Sequence, residues 1–504
     1  MKTIILGPPG TGKTTTLLDL VDQFLKAGVD SKKIGYFSFT KKAYEEAASR
    51  AAEKFNLDAQ EDLPFFRTLH SLAFRTLGAK REQVMQTRDY KDYGSKVGIN
   101  IRLQHANNSH SDGTFTSDNE YLSLINKARV TEREVMDLYD DNNHYLDIER
   151  DTLYLLDREL KRYKQEKGMI DYADMLERFV EQDVSPSFDV LFIDEAQDLS
   201  PLQWRMVRSL WSKAGKTYIA GDDDQAIFKW AGADVDSFIA LKEEVDQIDT
   251  LKQSYRIPGG PIHELSQSII ERVNNRFDKT YKPREATGKL NRYSDLTQVD
   301  MSQGEWLVLA SANYFLDDIK DLCELQGWYF SHKGRNSIPV DLLMAIQHWQ
   351  EWSKDGMLNV IQIKNIYSYL GDNVTRGYRT GKTMNNDLTY TQEDCIAEHG
   401  LQTNKVWYEA FTKIDTNTEN YIRNMLANKE KISQTPRIIM STIHGAKGGE
   451  ADNVLLLPDI TKSSVDQNDR EPDELHRLFY VAVTRAKENL HILEPRNYER
   501  AYVL

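Results

Sequence analysis

The run Gly7-Pro8-Pro9-Gly10-Thr11-Gly12-Lys13-Thr14, followed by Thr15, fits the spacing G-x-x-x-x-G-K-[ST]. Glycines at these places let a backbone wrap closely around phosphates, with amide N–H groups pointing inward at a helix start. Lys13 supplies a positive charge for the β- and γ-phosphates, and Thr14 offers a hydroxyl to Mg²⁺. This is nucleoside-triphosphate chemistry, and the pattern does not say what the nucleotide is used for. Further along, Asp194-Glu195-Ala196-Gln197-Asp198 places paired acids after an apolar run. Asp194 is positioned to hold Mg²⁺ through water, and Glu195 to orient and deprotonate an attacking water. A third constellation is Gly221-Asp222-Asp223-Asp224-Gln225-Ala226-Ile227-Phe228-Lys229-Trp230. Gln225 can reach a γ-phosphate or its water. Phe228 and Trp230 have two readings, core packing or a platform on which bases stack for ~1–3 kcal/mol each.

These residues need a scaffold that collects them at one edge. Thr3–Leu6, Ile34–Phe39, Phe188–Ile193 and Lys216–Ala220 read as buried strands. Amphipathic helices follow the first two, with Leu17, Leu18, Leu20, Val21 and Leu25 as the apolar stripe of the first. Strands alternating with helices predict a parallel α/β sheet covered on both faces, and acids at strand carboxyl ends then face one crevice. A second series, Trp306–Ala310, Arg437–Ser441, Val454–Leu457 and Leu490–Leu493, predicts a second α/β core. Residues 76–167 and 334–435 are polar and helical in pattern, and read as insertions.

Composition is compatible with this plan. The chain has 504 residues, 40% hydrophobic and 28% charged, with a mean hydropathy of −0.60. No apolar run approaches the ~18 residues needed to span a membrane, so a cytoplasmic protein with no membrane partner is expected. The two cysteines, Cys323 and Cys395, exclude a disulfide framework and a four-cysteine zinc site. A net charge of −14 excludes a polybasic nucleic-acid binder, though not a protein with a localised basic groove. The run from His110 to Asp118 matches the start of a glucagon-type hormone and is taken as coincidence within a long chain.

The set as a whole resembles the UvrD/Rep-like superfamily 1 DNA helicases. The resemblance adds Phe39-Thr40-Lys41-Lys42-Ala43, Thr68-Leu69-His70-Ser71, Asp171 to Leu176, Leu251 to Arg256, Ser441 to Glu450 and Arg477 to Lys487. It implies two RecA-like P-loop NTPase cores, each with a mainly helical insertion. The first core would be 1–75 with 168–255, interrupted by 76–167. The second would be 256–333 with 436–504, interrupted by a reduced accessory insertion at 334–435. It also implies roles by position. Gln225 resembles the γ-phosphate sensor, and Arg256 and Arg485 the two arginine fingers, always charged and forked for phosphate oxygens. Tyr255 resembles the adenine-stacking residue and Glu450 the acid that contacts the nucleotide sugar. Phe39, Thr40, His70, Trp230 and His444 resemble DNA contacts, joined by Phe228; metal ligation by the histidines has no supporting spacing.

The resemblance further implies ATP and Mg²⁺ as cofactors and 3′-to-5′ travel. Expected partners are single-stranded DNA, single-/double-strand junctions and replication or repair proteins, bound by a monomer. Two rivals remain open, a translocase that strips proteins with little unwinding and a P-loop switch or small-molecule kinase without nucleic acid. Three departures carry expectations. Gly449 stands where the family has leucine. The P-loop begins at Gly7, without the usual upstream adenine-reading glutamine, so relaxed base selectivity is expected. The insertion at 334–435 is shorter than the family's usual second accessory domain, and no nuclease domain is expected beyond Arg485.

Overall fold

The computed structural model describes residues 1–504 apart from 39–40, 56, 102, 105–115, 118, 143–147, 373, 376–383, 432–434 and 469. The expected DNA contacts Phe39 and Thr40 therefore lie outside the described residues. So does most of the hormone-like run, of which Thr116 and Ser117 pair with Leu103 and Gln104 in a short antiparallel ladder.

The first sheet has six parallel strands in the order Phe66–Arg67, Ile34–Ser38, Phe188–Asp194, Ala214–Gly221, Lys2–Leu6 and Gln247–Thr250. Side chains alternate between its faces, as strand geometry requires. Ile4, Leu6, Phe37, Leu191 and Ile193 pack with helices Leu69–Thr76, Tyr172–Glu181 and Pro201–Ser212. Ile5, Tyr36, Val190 and Phe192 pack on the other face with helices Lys13–Lys26 and Lys41–Phe55. Near-continuous apolar strands are what burial on both faces demands.

The second sheet has seven strands, Lys289–Tyr293, Ala486–Leu493, Ala451–Leu456, Trp306–Ala310, Ile438–Thr442, Phe330–His332 and Arg335–Asn336. All neighbours are parallel except the last pair. Helices Pro261–Ile270 and Pro472–Val483 close one face.

The two inserted stretches differ in how they are held. Between Met85 and Tyr163 the helices form a core of their own. They are tied to the first sheet's helices by a buried ionic network: Arg129 and Lys164 both pair with Asp171 (2.6 Å each) and with Asp174, and Arg129 also reaches Glu177. By contrast, Trp349, Trp352 and Trp407 are buried in one continuous core with Trp306, Val308 and Leu455 of the second sheet. The polar, helical pattern of 334–435 conceals that fusion, because the burial is carried by tryptophans whose indole N–H groups are satisfied locally. Trp349 donates to the Lys405 carbonyl (3.1 Å) and Trp352 to that of Tyr390 (3.0 Å).

Candidate functional site

The phosphate loop joins strand Lys2–Leu6 to helix Lys13–Lys26. Gly10 and Gly12 adopt left-handed backbone, φ 70° and 80°, which glycine enters without steric cost. Lys13 folds back across the loop and donates to the Gly7 carbonyl at 3.0 Å. A Cβ on Gly7 would lie 1.9 Å from Lys13 Cγ, and one on Gly10 2.3 Å from Arg256 Cβ. The loop is also clamped from outside. Ser254 Oγ donates to the Pro9 carbonyl (2.7 Å), and the Tyr255 N–H to that of Gly10 (2.8 Å). Tyr255 is 75% exposed at this lip, where a flat base could rest on its ring.

Asp194 ends its strand fully buried beside the loop. One carboxylate oxygen accepts from Thr14 Oγ1 (3.1 Å) and from the Tyr36 hydroxyl (2.8 Å). Burial, helped by the neighbouring charge of Glu195, raises its pKa above the ordinary carboxylate range. Burial pushes Glu195 the same way. The charges of Lys13, Lys447 and Arg485 and a 2.7 Å bond from Gln197 Nε2 outweigh it, so Glu195 titrates below its usual range. Glu195 itself has φ 53°, an uncommon conformation for a side-chain-bearing residue and one that costs energy. Thr14 and Asp194 offer hard oxygens at one point, a set that suits Mg²⁺ sharing a nucleotide's phosphates.

Gln225 is the hub between the two sheets. Its Nε2 donates to Asp222 (2.6 Å), and its Oε1 accepts from Arg485 Nη2 (2.9 Å). Its backbone carbonyl accepts from Lys447 Nζ (2.7 Å). Lys447 also grips both oxygens of Asp198, at 2.5 and 2.6 Å. Gln197 completes the circuit, donating to both Glu195 and Asp198 and accepting the Asp222 N–H. Burial drives Asp198 up to about 6 despite Lys447. Arg485 is 1% exposed, and burial together with the charge of Arg256 lowers it to about 9. It remains a cation at neutral pH. Arg256 is ion-paired to Glu450, the residue expected at the nucleotide sugar. Asp222, Asp223 and Asp224 are all buried around Lys279 (3.2, 2.5 and 2.8 Å), with Arg276 on Asp224 (2.6 Å).

The aromatic positions divide. Phe228 is buried, whereas Trp230 is half exposed. Both rings lie against His444 of the second sheet's loop, with centroids 6.4 and 6.1 Å away. Lys447 Nζ sits 4.9 Å over the Phe228 ring. Burial and the Lys447 charge lower His444 to about 4, so it is a neutral hydrogen-bonding group. His70 is buried edge-on against Tyr172 (5.6 Å), on the helix that follows the sheet's edge strand.

The structure thus gathers Lys13, Thr14, Asp194, Glu195, Gln225, Arg256 and Arg485 at one cleft, with Phe228, Trp230 and His444 at its far wall. Lys447, Asp198, Gln197, Asp222, Tyr36 and Ser254 were not singled out from sequence. Lys447 lay within the run Ser441 to Glu450, three residues past His444. Tyr36 carried no signal, since a buried strand tyrosine is ordinary.

Comparison with known proteins bears on the family of the chain. Residues 1–246 match the family model of the UvrD/REP helicase N-terminal domain. Residues 438–493 match that of the UvrD-like helicase C-terminal domain. DNA helicase II of Haemophilus influenzae is 23% identical over 310 residues, covering 59% of this chain and 42% of that protein. DNA helicase II of Escherichia coli is 22% identical over 380 residues, covering 73% and 51%. A probable DNA helicase II homologue of Mycoplasma pneumoniae is 22% identical and covers 97% of this chain and 81% of its own. The chain therefore spans about half or less of the Haemophilus and Escherichia relatives. No helix among the described residues is long and apolar enough to cross a membrane.

Proposed function

The chain belongs to the UvrD/Rep-like superfamily 1 helicases, and from that premise we propose an ATP-driven motor that moves 3′ to 5′ on single-stranded DNA and unwinds duplex. The observation that carries the reading is the pair Arg485 and Lys447. Both reach from the second sheet onto Gln225, and Lys447 lies between Asp198 and the ring of Phe228. In this reading the cores are the segments given above, and the cleft between them takes ATP.

Lys13 and the loop amides bind the phosphates. Thr14 and Asp194 would hold Mg²⁺, which when bound neutralises phosphate charge and draws electrons from the γ-phosphorus. Glu195, ionised at neutral pH, orients water and accepts its proton. Gln225 senses the γ-phosphate, and Arg485 and Arg256 offset the charge that develops there. An arginine in that role is worth ~10³–10⁵ in rate. Tyr255 stacks on the base. Phe228, Trp230 and His444 contact the strand, so that nucleotide-dependent closure changes the grip on DNA.

The test is ATP hydrolysis with and without single-stranded DNA, with Lys13→Ala as control. Strong stimulation that the variant abolishes supports a DNA-driven motor. Hydrolysis indifferent to DNA supports a P-loop switch instead. A second reading, a translocase that displaces proteins with little unwinding, is favoured by the fused core of residues 338–425 and the second sheet. Unwinding and protein-displacement assays on one preparation separate the two.

A further inference from the structure

Tyr36 lies in the middle of strand Ile34–Ser38 and is fully buried. Its ring stacks on Phe66, with centroids 5.3 Å and planes 13° apart, and tilts against Phe192 at 6.1 Å. The strand pairs with Phe188–Asp194 so that Tyr36 is opposite Phe192 and Ser38 opposite Asp194. Residues two apart on a strand share a face and are ~6.6 Å apart along it. The tyrosine side chain is long enough to bridge that step, and its hydroxyl donates to Asp194 Oδ2 at 2.8 Å. A phenylalanine would fill this apolar layer equally well and reach no acceptor. Buried tyrosines elsewhere satisfy their hydroxyls in a simpler way: Tyr93 and Tyr421 donate to the backbone carbonyls of Leu156 and Trp328, at 2.7 Å each. Tyr163 does reach a carboxylate, but that of Asp92 is half exposed. Asp194 is fully buried, and it is the acid beside the phosphate loop.

We propose that Tyr36 is a positioning residue that keeps Asp194 from bonding the metal directly, and so sets the preference of the nucleotide site for Mg²⁺ over Mn²⁺. The inference rests on the nucleotide reading of the cleft above and adds to it a residue and a selectivity. A carboxylate oxygen has two lone-pair positions. Both positions of Asp194 Oδ2 are taken, one by Tyr36 and one by Thr14 Oγ1 at 3.1 Å. Thr14 spends its proton on Asp194, which leaves its own lone pairs for a metal ion. The carboxylate oxygen next to that hydroxyl has none to give. The other oxygen, Oδ1, accepts the Glu195 N–H at 2.9 Å. A metal ion held by Thr14 therefore meets Oδ2 through water. That arrangement suits Mg²⁺, which sheds water reluctantly and keeps several molecules of it. Mn²⁺ takes a carboxylate in place of water more readily. Loss of the Tyr36 hydroxyl frees a lone pair on Oδ2, and the site then offers a direct carboxylate bond. Partners one step outside a metal's ligands are worth ~10–100-fold in affinity.

The test follows Mn²⁺ binding to the full chain with ADP by electron paramagnetic resonance, in the absence of turnover, and displaces the ion with Mg²⁺. Tyr36→Phe is expected to shift the ratio of the two affinities about tenfold toward Mn²⁺. Line broadening in water enriched in the magnetic oxygen isotope should count fewer waters on Mn²⁺ in the variant than in the parent. Thermal unfolding without metal or nucleotide confirms that the variant is folded. A ratio that stays the same or moves toward Mg²⁺ overturns the inference, because the hydroxyl then only satisfies a buried carboxylate. An equal water count overturns it as well. Tyr36→Leu removes the same hydroxyl with different packing and must shift the ratio in the same direction. Should neither variant fold, the inference also falls, since Tyr36 then serves the core. A parent chain that binds no Mn²⁺ with ADP defeats the nucleotide reading itself. Parental binding with an unaltered variant defeats this inference alone.

Discussion

At the scale of single residues the site depends on charges buried far from water and offset by one another. Asp198 is held near 6 with both oxygens on Lys447. Lys447→Met removes that counterion, so Asp198 takes up a proton near neutral pH and Gln197 keeps only Glu195 as an ionic partner. Steady-state hydrolysis should show kcat down about tenfold or more with the KM for ATP little changed, since Lys447 is bonded to Asp198 and Gln225 rather than to the phosphate loop. His444 offers a pH readout. Its folded pKa of about 4 lies below the 6.5 of a free histidine, so between those values the unfolded chain binds more protons. Its share of stability is present above 6.5 and is lost as pH falls toward 4, with a slope of up to ~1.4 kcal/mol per pH unit. Denaturant unfolding across pH 7 to 4 should show a shallower acid loss for His444→Asn than for the parent. Equal slopes would mean that the ring gains its proton without leaving its place against Phe228 and Trp230.

At the scale of elements the loop and the helix network set geometry. Gly10 needs φ 70° and has Arg256 Cβ where its own Cβ would go. Gly10→Ala must therefore strain the backbone by ~1–2 kcal/mol and push Arg256 off the loop. The expected result is a KM for ATP raised about tenfold or more together with a lower kcat. The inserted helices are held by Arg129 and Lys164 against Asp171, Asp174 and Glu177. Arg129→Met leaves three carboxylates to one lysine, and chemical denaturation should report a loss of ~3–5 kcal/mol. A loss below ~1 kcal/mol would show that the inserted helices are held by their apolar core rather than by the ionic network.

For the whole molecule, the two sheets communicate through a few side chains. Trp230 is half exposed and meets His444 across the cleft mouth, while Lys447 joins that wall to Asp198 and Gln225. Trp230→Ala should then lower DNA-stimulated hydrolysis several-fold more than hydrolysis without DNA. Equal loss in both would make the ring structural. In the second sheet, residues 338–425 share one core with the strands, so in the proposed motor they move with that sheet rather than as a free lobe.

Much of this was legible in the linear order of residues because its signals are local. A phosphate loop is eight consecutive residues. Strand and helix periods repeat within a dozen. An acid after a buried strand lies at a carboxyl edge whatever the rest of the chain does. Lys13, Thr14, Asp194, Glu195, Gln225 and Trp230 could be named on those grounds, and Arg256 and Arg485 by resemblance. What only the tertiary structure decided are the pairings between residues far apart in the chain: Lys447 on Asp198, Arg485 on Gln225, Glu450 on Arg256 rather than facing open cleft, and three tryptophans of the polar insertion in the second sheet's core. Sequence specifies which groups carry charge or apolar area. Which of them neutralise one another is set by desolvation, and desolvation exists only once the sheets have packed.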